Sequence, residues 1–145
     1  MRKASFICPQ IILSCVLSLV VIPIASADDK SKDSSERLFE LRTYTAAPGK
    51  LDALHARFRN HTNRLFVKHG MTLVGYWIPT EGPKTQNTLI YILAYPNKEA
   101  REKAWKDFQA DPEWQKARAE SEINGKLVEK AESVFLKPTD YSPIR

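Results

Sequence analysis

The chain has 145 residues, of which 43% are hydrophobic, 27% charged and 10% aromatic. That is an ordinary globular composition with room for one domain, and it excludes a large multi-domain enzyme. The net charge of +5 overstates the basicity of the working protein, because Arg2 and Lys3 head an export signal; without them 20 basic residues face 17 acidic ones, a net +3.

In chain order, Arg2 and Lys3 lead into an apolar run from Phe6 to Ile24 that ends in Ala25-Ser26-Ala27, the pattern of a secretory signal peptide over residues 1–27. Cutting 27 residues from 145 leaves a mature chain of 118, exported to the periplasm or secreted, with Asp28 at its start and no membrane segment. Two lesser alternatives attach to this segment. Cys15 after Leu13-Ser14 faintly resembles a lipidation site, and the run approaches the ~20 residues of a membrane span, although Pro23 breaks it. Cys8 and Cys15 both lie in the removed segment, so the mature domain holds neither a disulfide nor a thiolate metal site.

Residues 28–36 lack any apolar side chain and read as a flexible leader; the folded domain is expected over 37–137, with a tail over 138–145. From Leu38 to Thr45 the chain alternates, with Phe39, Leu41 and Thr43 on one side and Glu40, Arg42 and Tyr44 on the other, as a strand requires. Pro48-Gly49 closes it. A helix is predicted from Lys50 to His69, where Leu51, Leu54, Phe58, Thr62 and Leu65 recur at three- and four-residue steps and Gly70 follows as a left-handed cap. Met71 to Ile78 and Thr88 to Tyr95 are the next strands, joined by a long polar loop; Leu-Ile-Tyr-Ile-Leu makes the latter apolar on both faces and so interior to a sheet. Asn97 caps a helix running to about Phe108, Asp111-Pro112-Glu113 starts another that Gly125 ends, and the last strand covers about Lys130 to Leu136.

The order strand, helix, strand, strand, helix pair, strand is that of an α+β, ferredoxin-like βαββαβ unit with a four-stranded antiparallel sheet. Two helical layers cover only one face of such a sheet. The other face remains apolar and is expected to pack on a second copy, which predicts a homodimer.

Six segments then carry a resemblance. Glu40-Leu41-Arg42-Thr43-Tyr44-Thr45, Pro48-Gly49-Lys50-Leu51, Lys68-His69-Gly70-Met71, Val74-Gly75-Tyr76-Trp77, Gly82-Pro83 and Ala110-Asp111-Pro112-Glu113-Trp114 together resemble the NIPSNAP family in order and spacing, over about Leu38 to Leu136. The resemblance implies a dimeric α/β-barrel. It implies no activity, since the family has no accepted catalytic residues and its animal members look like mitochondrial interaction proteins. The export signal and the single domain copy set this chain apart from those, so a mitophagy-type role is not carried over.

Five residues are nominated as a ligand-pocket lining: His61, His69, Arg42, Tyr44 and Trp77. At 100° per residue His61 and His69 fall on the inward arc of the first helix and His55 at its margin, where desolvated imidazole serves as acid, base or ligand. Eight residues between them span about 12 Å, too far for one metal, so no metal site is assigned. The commoner arrangement is structural, with His69 bonding backbone near Gly70 and His61 a satisfied core group. Arg42 suits a carboxylate or phosphate, but an internal pair with Glu40 is preferred. Trp77 beside the long loop suits a pocket mouth, whereas Trp105, Phe108 and Trp114 are read as packing.

Glycine-rich phosphate loops, cysteine nucleophiles, serine elbows and His-Glu helix motifs are all missing. Nucleic acid is excluded as well, because Lys98, Arg101, Lys103 and Lys106 alternate with Glu99, Glu102 and Asp107 as on a solvated helix face. The leading expectation is a non-enzymatic, cofactor-free dimeric module that binds a small apolar ligand or a protein partner. The alternative is a small cofactor-free or haem-dependent oxygenase or isomerase using a cavity between sheet and helices.

Overall fold

The computed structural model describes residues 37–145, so the expected export signal and leader lie outside the described residues. Strands β1 (Leu38–Ala46), β2 (Thr72–Trp77), β3 (Thr88–Tyr95) and β4 (Val128–Leu136) form one antiparallel sheet in the order β2-β3-β1-β4. This is the expected ferredoxin-like α+β arrangement. β3 lies inside the sheet, as its two apolar faces require, and β4 begins two residues before the expected Lys130.

The regular helix predicted from Lys50 to His69 is instead interrupted. It consists of α1 (Leu51–Arg57), a π-helical turn (Phe58–Thr62) and α2 (Asn63–Lys68). Within it the Asn63 N–H donates to the Phe58 carbonyl five residues back, and the buried Thr62 hydroxyl donates to the Arg57 carbonyl at 3.3 Å. A π turn holds more residues than an α turn, so a steady 100° per residue overshoots beyond Phe58. Thr62 is buried as expected, but His61 is only half-buried and faces a groove shared with the last helix instead of the sheet.

Helices α3 (Lys98–Ala110) and α4 (Pro112–Ser121) carry their predicted caps: the Asn97 side chain accepts from the Ala100 N–H and that of Asp111 from the Glu113 N–H, both at 2.8 Å. α4 stops at Ser121, a turn before the expected end; Gly125, at φ +102°, belongs to the following turn, where its N–H reaches the Glu122 carbonyl.

The helices α1 to α4 lie on one face of the sheet. Leu89, Tyr91, Leu93 and Tyr95 of β3 are buried there against Leu54, Phe58, Leu65 and Phe66, with Trp105 and Phe108 from α3 completing the core. Each such side chain stabilises the fold by about 1.5–3 kcal/mol through removal from water. Trp105, Phe108 and Trp114 do pack together, with centroids 5.7 Å apart for the first pair and 4.5 Å for the second. On the opposite face the C-terminal tail folds back, so that Pro138 and Ile144 line a groove of ≈ 330 Å³ with Phe39, Val74, Ile92 and Leu136. Val134 on that face remains 55% exposed.

Candidate functional site

Register decides which side of β1 meets the helices. Glu40, Arg42 and Tyr44 stand opposite Leu93, Tyr91 and Leu89, the core residues of β3, so the polar side of the strand points inward. The Glu40 carboxylate is 0% exposed and accepts five hydrogen bonds. Arg101 grips it in a bidentate pair, Nη2 to Oε1 at 2.7 Å and Nε to Oε2 at 3.0 Å, while Arg42 Nη1 reaches Oε1 at 2.6 Å. Tyr95 Oη and Trp105 Nε1 donate to Oε2, each at 3.1 Å. Burial alone pushes the Glu40 carboxyl up, but the hydrogen bond from Arg101 and the charge and hydrogen bond of Arg42 outweigh it, holding it below the usual carboxylate range. Arg42 also donates from Nε to Tyr91 Oη at 2.9 Å and lies 4.3 Å over the Trp105 ring.

Arg101 therefore corrects a sequence expectation: it turns inward to Glu40 instead of belonging to a solvated helix face. Its signal was present as an arginine one turn inside the capped end of α3, but only the docking of α3 on β1 brings the pair together. The preferred internal pairing of Arg42 with Glu40 is the one observed.

A second region differs in kind. A cavity of ≈ 280 Å³ opens between the flank of the α1–π–α2 helix and the β2–β3 edge. His55, Arg59 and Asn63 line its helical wall, and Tyr76 and Leu89 its sheet wall. Among the described residues, three buried side-chain polar atoms lack a hydrogen-bond partner, and two of them, Asn63 Oδ1 and Tyr76 Oη, are on residues of this lining. Burial pushes the Tyr76 phenol up to about 12, so it stays an O–H donor. The third such atom, Arg57 Nε, belongs to a guanidinium that already binds Glu122 Oε1 at 2.9 Å and Ser121 Oγ at 3.3 Å. An orphaned buried polar atom costs about 1–3 kcal/mol, so two of them on residues of one lining set this region apart from the rest of the interior.

The five nominated residues do not converge. Arg42 and Tyr44 share a face, with Arg42 Nη2 3.3 Å from Tyr44 Oη. Tyr44 also borders a groove toward β4. Trp77 contributes to the cavity lining, and its indole lies across Gly75, where a Cβ would come within 2.6 Å of the ring. His61 lines the separate groove against α4. His69 bonds a side chain where backbone was expected, its Nε2 standing 2.7 Å from Asp111 Oδ2, which Lys68 Nζ also reaches at 2.7 Å. The histidine at the cavity is His55. A legible signal existed in the four-residue recurrence of His55, Arg59 and Asn63, a polar stripe flanking Leu54, Phe58 and Thr62. Among the described residues no group of three or more His, Cys, Asp or Glu is placed to hold a metal, and no helix is long and apolar enough to cross a membrane.

Comparison with known proteins adds the lineage. The family model NIPSNAP matches residues 39–143. The fold is similar to that of a NIPSNAP family protein of unknown function from Agrobacterium tumefaciens str. C58, with 26% identity, coverage of 77% of this chain and 96% of that one, and a TM-score of 0.66. An uncharacterized NIPSNAP domain protein from Burkholderia xenovorans is 27% identical over 73% of this chain and 98% of its own, with a TM-score of 0.62. No curated protein matches the chain.

Proposed function

The chain belongs to the NIPSNAP family, and from that premise we propose that it is an exported, homodimeric binding module that holds a small ligand in the cavity beside Asn63 and Tyr76. The observation that carries this reading is the pair of buried polar atoms without partners in one cavity lining. Protein interiors leave few such atoms, because each forfeits its bonds to water without replacement.

Export is supported by the signal pattern over residues 1–27, and dimerisation by the helix-free face of the sheet, where Val134 and Trp77 stand half-exposed beside Leu41 and Ile90. The test of the binding reading is a fragment screen by protein-observed NMR on the purified protein and on its Asn63→Leu/Tyr76→Phe variant. Shifts clustered at α1, the π turn and β2, lost in the double variant, support it; a screen in which no fragment moves those resonances overturns it. Sedimentation at micromolar concentration tests the dimer, and a monomer there removes that part of the proposal.

A further inference from the structure

Resting on the homodimer reading, we infer that the tail over residues 138–145 is an autoinhibitory strap, occupying part of the helix-free sheet face on which a second copy packs. Strand register orders that face. Phe39 and Leu136 stand on one outer rung, Trp77 and Ile90 on the opposite one, and Leu41 and Val134 between them.

The two ends are covered differently. No helix lies over Phe39, yet it is only 6% exposed: Pro138 and Ile144 of the tail line a groove with it, and the Arg37 guanidinium stands 5.4 Å over its ring. Trp77 at the other end is 49% exposed and Val134 in the middle 55%. The chain thus covers one end of its own apolar face and leaves the remainder open.

That remainder fits a second copy. Lys130 and Glu132 are the charged side chains among the strand residues on this face, and they neutralise each other at 2.8 Å. A two-fold contact sets the strip against itself, so it favours a surface that brings no lone charge into the interface. Stacked sheets lie about 10 Å apart, a gap that the side chains of both inner faces fill. A tail lying on the Phe39 rung takes up that space, and the partner reaches the whole face only once the tail has lifted.

The strap is weakly held. Its hydrogen bonds are largely its own: the Ser142 N–H donates to the Thr139 carbonyl at 3.1 Å, the Ser142 hydroxyl to the Ile144 carbonyl at 2.7 Å, and Arg145 Nε to the Ser142 carbonyl at 3.0 Å. Among the described residues a single side-chain bond ties it to the body, from Arg37 Nη1 to the Arg145 carbonyl at 2.6 Å, and it is exposed to solvent. A groove of ≈ 330 Å³ remains beneath the strap, and Ile144 is still 55% exposed. Segments with few buried contacts and exposed hydrogen bonds open at low cost, and this one keeps its internal bonds when it does.

The experiment is sedimentation equilibrium of the purified protein and its Arg37→Gln/Ile144→Asp variant over one micromolar concentration range, with circular dichroism to verify folding. The double change removes the latch and places a charge where the strap seats, at positions outside the core. A surface open about a tenth of the time loses about tenfold in apparent affinity, so the variant is expected to self-associate roughly tenfold or more tightly than the wild type. Ile144→Phe fills more of the groove and is expected to weaken self-association. If the double variant associates no more tightly than a dimeric wild type, or Ile144→Phe associates more tightly, the strap is overturned while the homodimer stands. If the wild type and the double variant both remain monomeric, strap and homodimer fall together. A monomeric wild type beside a dimeric double variant removes the wild-type homodimer and supports the strap.

Discussion

The inward side of β1 and the cavity beside α1 both place polar groups within the folded domain, and they resolve that placement in opposite ways. Around Glu40 every bond is made: one carboxylate receives two guanidiniums, a phenol and an indole, and the spare donors of Arg42 go to tyrosines. Around Asn63 and Tyr76 the protein leaves an acceptor and a hydroxyl unmade. A saturated network has no valence left for a ligand and acts to fix the docking of α3 on the sheet; an unsaturated one is a free-energy cost that a bound molecule removes. The difference separates the scaffold from the proposed site.

The contrast breaks most visibly at Glu40. Glu40→Gln leaves Arg42 and Arg101 facing each other in the interior without their counter-charge, so chemical denaturation is expected to show a loss of about 3 kcal/mol, the scale for removing one partner of a buried pair. A loss below 1 kcal/mol would mean that the network is not what holds α3 in place.

The same residue sets an acid limb. Its folded pKa is held below the ordinary value of 4.5, so the stability it contributes is present in full above that pH and is lost as pH falls through the folded value. Denaturation midpoints measured from pH 6 downward are therefore expected to drop below about pH 4.5. The Glu40→Gln variant is expected to show a flatter curve there.

Tyr76→Phe sharpens the comparison from the other side. Deleting a hydroxyl that has no partner is expected to leave the unliganded protein within about 1 kcal/mol of the wild type, or slightly stabilised, while ligand affinity falls. A destabilisation near that of Glu40→Gln would place Tyr76 in the scaffold. The smallest effect belongs to His61, half-buried in the groove against α4 and without a side-chain hydrogen bond among the described residues. His61→Gln is expected to shift stability by no more than about 0.5 kcal/mol and to leave ligand affinity unchanged, checked by thermal melting and by the same fragment screen.

Strand periodicity, the helix caps at Asn97 and Asp111, the double apolar face of β3 and the order of elements are local properties, and each is legible in the sequence because it depends on residues within a few positions of one another. The family resemblance rests on the same kind of signal. Alternation along β1 is equally local, yet it does not say which side faces the helices; here the side bearing Glu40 and Arg42 is the inward one, against the simplest hydrophobic rule, because Arg101 and Trp105 arrive from 61 and 65 residues away to satisfy it. The π turn is the second thing that only the tertiary structure decided. It changes the phase of a helix whose sequence repeats are otherwise regular, moving His61 off the sheet, while the cavity takes shape from the flank stripe of His55, Arg59 and Asn63 where it meets Tyr76. A polar atom is paired or orphaned according to what the rest of the chain brings within 3 Å of it, and that is a property of packing, which no window of sequence contains.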